Sequence, residues 1–266
     1  MNTLLLTFDL EQFVTPEEKG MNLSRKELFS LSNQGLEKIH QILLETGTKA
    51  TFFTTLEFAQ QSPLLKKIAE EGHEIALHGY DHNTHYTEME TNAAEEELKK
   101  AKEGLEKLFK TKIKGFRAPQ MKILNNTILH NIGISYDSSL HPTYIPRYSN
   151  NFFKTRNIHT SHQVKVIPVS VTPLIRLPFS WIWFRNFGLT YAKLCTKLTL
   201  LNQNYINIYF HPWDFAELNK EPFKGKIFSL ILRNTGIKIA KELKNYITWT
   251  QEQGITATTI SDYLHP

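Results

Sequence analysis

Thr3-Leu4-Leu5-Leu6-Thr7-Phe8-Asp9-Leu10-Glu11 is the first strongly apolar stretch of the chain, and it ends in two carboxylates one residue apart. The apolar part is the length of a single buried strand. Alternation along a strand puts Asp9 and Glu11 on one face and turns Leu10 to the other. Two carboxylates on one face can divide roles, one ligating a cation while the other takes a proton. A solvated acidic loop is the plain alternative.

Strand-like and helix-like segments alternate outward from this stretch, the pattern of parallel βαβ units. Residues 33–45 read as an amphipathic helix closed by Gly47, and residues 49–54 (KATFFT) as the second strand. Ser62-Pro63 opens a helix that stops at Gly72. Residues 73–77 make a third strand and residues 88–110 a long helix with Glu and Lys at helical spacing. Further strands are expected at 113–116, 134–136, 164–171, 205–210 and 255–259, with a short helix ending at Gly133 and a late helix over 237–250. The expected fold is α/β, a distorted (β/α)7-type barrel forming a single domain over residues 1–266.

The remaining reactive residues fall where these strands end. His78 and His82 stand four apart in His78-Gly79-Tyr80-Asp81-His82, a spacing that lets both imidazoles reach one metal if the loop turns helically. His73 has the opposite parity and reads as structural, and His85 as a loop residue. Arg117 precedes Ala118-Pro119 where a strand leaves the sheet; its guanidinium can orient a carboxylate or form an ordinary salt bridge. Asp137 follows in Tyr136-Asp137-Ser138-Ser139. His211 ends an apolar strand and is suited to proton transfer, or else is a satisfied core histidine. Barrels and open α/β sheets collect their chemistry at this carboxyl end, where the βα loops converge.

Composition narrows the classes. The chain has 266 residues, 41% of them hydrophobic, and a formal charge of +5 without a long basic run, so no nucleic-acid surface is indicated. A single cysteine, Cys195, excludes an internal disulfide framework and any multi-cysteine zinc cluster. The opening apolar run is too short for a signal peptide, and no stretch is long enough to span a bilayer, which makes the cytoplasm the default location.

Taken together and in order, these sets resemble the polysaccharide deacetylases, the NodB-homology group also called carbohydrate esterase family 4. The resemblance rests on Thr7-Phe8-Asp9-Leu10-Glu11, His78 to His82, Gly115-Phe116-Arg117-Ala118-Pro119, Asp137-Ser138-Ser139 and Tyr209-Phe210-His211, spanning residues 3 to about 214. Two positions depart from the commonest pattern. Leu10 stands where a second aspartate is usual, and the branch with an Asp-x-Glu motif moves the ligand to Glu11. Gly79 replaces a Ser or Thr.

The resemblance implies metal-dependent removal of an N-acetyl or other N-acyl group from an amino sugar. One divalent ion, zinc by default with cobalt, nickel or manganese as alternatives, would be held by Glu11, His78 and His82. Asp9 would act as base, Arg117 would orient it, His211 would protonate the leaving amine and Asp137 would orient His211. Pro119 and Trp213 are the substrate-contact candidates, Trp213 being equally readable as a core aromatic. Residues 174–187 (LIRLPFSWIWFRNF) are rich in Trp and Phe with two Arg. Such a stretch suits a membrane surface reached through Trp181 to Phe187, and with it a lipid-linked glycan at the inner membrane face. A buried packing segment or subunit interface is equally open. The competing functions are a deformylase or other C–N amidohydrolase on the same site, and a carbohydrate-binding pseudoenzyme if Glu11 does not ligate.

Overall fold

The computed structural model of the chain describes residues 1–14, 23–146, 148–218 and 230–265. Strand β1 (Thr3–Leu10) is buried over all but its first residue. Leu4, Leu6, Phe8 and Leu10 face outward into the main apolar core. Leu5 faces inward, into a second cluster with Phe53, Ala76, Tyr136, Ile167, Tyr205 and Ile260. Burial on both faces explains the near-continuous apolar run, as expected of a parallel strand covered by helices.

Helix α1 (Arg25–Thr46) follows, then β2 (Thr51–Thr54), the short helices α2 (Leu56–Gln60) and α3 (Leu64–Glu70), β3 (Glu74–Leu77) and α4 (Thr91–Phe109). The chain continues through β4 (Gly115–Phe116), α5 (Asn126–Asn131), β5 (Tyr136–Asp137), a hairpin of β6 (Tyr144–Ile145) and β7 (Ser149–Asn150), β8 (His159–Ser161) and β9 (Val164–Val166). Helix α6 (Trp181–Thr199), β10 (Tyr205–Phe210), α7 (Ile237–Glu252), β11 (Thr256–Ala257) and α8 (Ile260–Leu264) complete it.

Seven strands run parallel in the spatial order β10-β1-β2-β3-β4-β5-β9. Strand β8 adds an antiparallel edge and β11 pairs beside the start of β1. This is the expected distorted (β/α)7 barrel. Its seam between β9 and β10 lacks a regular ladder. There Ser170 N donates to Asn207 O and Asn207 N donates to Ser170 Oγ, both at 2.8 Å.

The structure departs from the expected elements in a few places. Helix α1 begins at Arg25, ahead of the expected residue 33, because Ser24 and Glu27 form a capping box at its start. The expected strand over 164–171 is regular only at Val164–Val166. Beyond it Ile167 N bonds to Asp137 O and Val169 N to Leu140 O before Ser170 reaches Asn207, so the segment swings from one strand to another to close the seam. The 174–187 segment divides: Phe179, Phe184 and Arg185 are buried, whereas Leu174, Ile175 and Phe187 lie exposed. No helix among the described residues is long and apolar enough to cross a membrane.

One contact in the outer layer bears directly on the site. An ideal Cβ on Gly35 of α1 would lie 1.7 Å from Pro212 O, so only glycine lets the helix press on the loop carrying His211.

Candidate functional site

Asp9 and Glu11 share the inward parity of β1 and stand at its carboxyl end beside His78, Arg117, Tyr209 and His211. All are buried or nearly so. Arg117 is fully buried and fills the barrel axis above Phe53, its guanidinium carbon 4.2 Å from that ring's centre and 5.5 Å from that of Tyr209. Its Nη1 donates to Asp9 Oδ1 at 2.7 Å and to Thr7 Oγ1 at 2.8 Å, while Nε and Nη2 bond Ser138 O and Oγ. The contact with Asp9 is thus a single bond to one oxygen, and Oδ2 is left for other chemistry. Thr7, Ser138 and Asn207, whose Nδ2 also reaches Ser138 Oγ at 3.0 Å, form a supporting layer that motif reading missed. Strand parity alone places them there.

Glu11 Oε2 lies 3.3 Å from His78 Nε2 and 3.4 Å from His82 Nε2. His78 Nδ1 stands 2.7 Å from Arg117 O. A carbonyl can only accept, so Nδ1 carries the proton and Nε2 presents a lone pair toward Glu11 in the neutral ring. Two acceptors at that distance require a cation, either a proton or a metal. Glu11 Oε2 makes no hydrogen bond although it is buried. A tetrahedral ion at about 2.0–2.1 Å from each donor needs donors roughly 3.3 Å apart, which both contacts of Glu11 match. Among the described residues no three such side chains stand as a finished metal cage. His82 Nδ1 is buried and has no hydrogen-bond partner. The donor set fits a divalent ion. Burial works against the charged form of Glu11, yet His82, His78 and His211 outweigh it and hold its carboxyl below the ordinary value.

Gly79 sits between these histidines with φ 89°, and a Cβ there would meet the Tyr86 hydroxyl at 2.7 Å. Tyr86 itself accepts from Tyr80 N, which fixes the loop. This accounts for glycine where Ser or Thr is usual.

His211 turns Nε2 toward Glu11 Oε1 at 3.9 Å and Nδ1 toward Asp214 Oδ2 at 3.8 Å. Burial opposes its protonation, but Asp214, Glu11 and Asp9 prevail and raise its pKa above the ordinary value. Asp214 also accepts from His211 N at 3.0 Å and Trp181 Nε1 at 3.2 Å, with buried Arg185 3.3 Å away.

Asp137 is therefore not the residue that orients His211. It pairs in register with Phe116 and shares that residue's outward parity, whereas Arg117 and Ser138 point in. Its Oδ1 accepts from Ser139 N at 2.9 Å and from Ser139 Oγ, and burial raises its pKa to about 6 against those bonds. The carboxylate beside His211 is Asp214, three residues further along the same loop.

A cavity of about 240 Å³ opens onto Asp9, Glu11, His78, His82 and His211. Trp181, Trp183, Tyr209 and His141 form much of its wall. Trp213 contributes little open surface: it is 1% exposed and stacks on Phe13 (4.7 Å) and His211 (5.2 Å). Pro119 is buried at the start of a short turn whose next two residues, Gln120 and Met121, line the cavity in its place. His141 is a residue the motifs did not announce. It is buried with Nε2 unpartnered, and burial, then the Arg117 cation, lower its pKa to about 3. Its only sequence signal is its position just past a strand end, shared with the other site histidines. His73 accepts from Ala50 N outside the barrel, and exposed His85 contacts Lys122 Nζ.

The sequence profile of the polysaccharide deacetylase family matches residues 2–136, and the chain belongs to that family. Among solved structures, Puue allantoinase superposes with a TM-score of 0.65 at 16% identity, covering 98% of this chain and 88% of that one. A family 4 carbohydrate esterase from Streptomyces lividans in complex with acetate gives 0.54 at 15%, covering 97% and 93%. A pseudoenzyme of carbohydrate esterase family 4 from Bacillus anthracis gives 0.54 at 15%, with 98% of this chain matched to 64% of that longer one. At these identities the likeness concerns the fold. No curated protein matches the chain.

Proposed function

We propose that the protein is a metal-dependent hydrolase that removes an N-acetyl or related N-acyl group from an amino sugar. The observation that carries this reading is the approach of both His78 Nε2 (3.3 Å) and His82 Nε2 (3.4 Å) to Glu11 Oε2, with His211 Nε2 3.9 Å from Glu11 Oε1. A divalent ion there, zinc by default, supplies Lewis-acid polarisation of the amide carbonyl and an acidified water. Asp9 takes the water's proton on Oδ2 while Arg117 holds Oδ1. His211, whose pKa Asp214 and Glu11 raise against its burial, delivers a proton from Nε2 to the leaving nitrogen, without which an amine is a poor leaving group. Trp181 closes over His211, ring centres 4.8 Å apart, and keeps bulk water from this transfer.

The inward position of Glu11 supports an active enzyme over a pseudoenzyme. The cavity's modest size also suits a small cyclic amide, so ring-opening hydrolysis is the second reading. A lipid-linked glycan at the inner membrane face is the finer form of the first. Exposed Leu174 and Ile175, a pair of apolar side chains in the 174–187 segment, support it.

The test is metal content after exposure to zinc, cobalt and nickel beside a His78→Ala variant, followed by acid release from N-acetyl and N-formyl amino sugars. About one ion per chain, lost in the variant, with acetate released only by loaded protein, is the expected outcome. No retained ion, or no acid released, sinks the reading.

A further inference from the structure

The cavity's walls are bonded to one another. Tyr148 of the β6–β7 hairpin donates its hydroxyl to Gln120 O at 2.5 Å, joining the hairpin to the 119–121 turn. Ile145, Tyr148 and Ser149 line the cavity from the hairpin, Gln120 and Met121 from the turn. The hairpin is braced behind by Asn151 N to Thr143 O at 3.0 Å. Opposite, Trp181 is pinned to Asp214, and Trp183 meets the edge of His141 at 6.0 Å.

Three cavity residues hold left-handed backbone without being glycine: Gln120 (φ 57°), Met121 (φ 53°) and Trp181 (φ 44°). Each such conformation is costly for a residue with a Cβ and persists where the surroundings impose it, commonly at binding sites. The walls are thus built to a shape. The cavity's volume of about 240 Å³ falls below the roughly 300–1,000 Å³ of ordinary ligand pockets. A sugar in the interior of a polymer leaves its site in two directions and needs a longer groove. Here residues of the hairpin and turn, and Trp181 with Trp183, wall the small space around the site.

We infer that the cavity is a single-ring pocket, which takes one N-acylated sugar at a chain end and rejects interior units of a polysaccharide. Within it His141 Nε2, buried and unpartnered, is a hydrogen-bonding group available to a ring hydroxyl. The inference rests on the amino-sugar reading for its ligand class, but its content is the size and closure of the site.

The experiment uses zinc-loaded protein and a β-1,4-linked N-acetylglucosamine tetramer. Mass-spectrometric sequencing locates the deacetylated unit, and saturation-transfer NMR locates the rings in contact with protein. Acetyl loss and saturation confined to one terminal ring are expected. Tyr148→Phe, which unfastens the hairpin, is expected to raise interior deacetylation about tenfold relative to terminal. Interior units losing acetyl as fast as terminal ones in the unaltered protein, or saturation spread over several rings, overturns the inference. An unchanged pattern in Tyr148→Phe overturns the role of the latch. No acetate release with saturation on one terminal ring would leave the single-ring pocket standing and remove the deacetylase reading. No saturation on any ring overturns both.

Discussion

The two ends of the barrel treat their buried polar groups in opposite ways. At the amino end, Glu74 at the start of β3 is saturated: it accepts from Thr51 Oγ1 and Tyr136 Oη at 2.8 Å each, from Ser261 N at 3.1 Å and from Ser261 Oγ. His73 beside it accepts from Ala50 N at 3.2 Å. At the carboxyl end, Glu11 Oε2, His82 Nδ1, His141 Nε2 and His211 Nδ1 are buried without a hydrogen-bond partner. A buried polar atom without a partner costs about 1–3 kcal/mol, so a cluster of them marks groups held for something outside the chain. The amino end also has the larger cavity, about 570 Å³, lined by Lys66, His73, Lys112 and Lys114. None of its lining atoms is a buried group lacking a partner. Cavity size is therefore the poorer guide here, and unsatisfied bonding capacity the better one.

The contrast can be broken by four measurements. Glu11→Gln should lower acyl release about a thousandfold, by removing a charged ligand, and should leave the melting temperature of metal-free protein unchanged or higher. A marked loss of metal-free stability would show that Glu11 is a structural carboxylate like Glu74. Arg117→Met leaves Asp9 buried without its cation, and urea denaturation should show a loss of about 3–5 kcal/mol. Glu74→Gln should cost about 1.5–3 kcal/mol in the same assay, with metal binding per folded molecule retained. If metal binding fails instead, the two ends are coupled.

The smallest effect is in the pH dependence of stability. Burial lowers the pKa of His73 to about 4 and that of His141 to about 3. The unfolded chain takes up these protons first, so stability is full above about pH 6.5 and falls as pH drops toward the folded values. Calorimetry between pH 7 and 5 should show melting temperature falling with acid. His73→Gln and His141→Gln should each flatten that slope by up to about one proton. An unaltered slope in both variants would mean that neither imidazole is buried neutral.

Much of this was legible because two periodicities are rigid. The period of two along β1 sends Asp9 and Glu11 inward with Leu5 and Thr7, and the strand–helix alternation points to a mainly parallel sheet. The same parity, applied to β5, would have turned Asp137 away from the site, but two strand residues are too few to set parity without knowing that Asp137 pairs with Phe116. Asp214 carries no comparable signal, because its place beside His211 depends on a turn, Pro212–Phe215, against which Gly35 of a distant helix is pressed.

The succession of strands and helices along the chain and the inward faces of Asp9, Glu11, His78, Arg117 and His211 were determined by local sequence, since alternation and strand-end position are local properties. Only the tertiary structure decided that Asp214 faces His211, that Trp181 and Trp183 line the cavity beside a nearly fully buried Trp213, and that the hairpin latches onto the 119–121 turn. Asp214 faces His211 within one turn, but Gly35 of a distant helix presses on that turn, and the packing of Trp181 and the hairpin latch join segments far apart in the chain. Such a contact depends on which surfaces the packed barrel brings within a few ångströms, and no sequence window spans that distance.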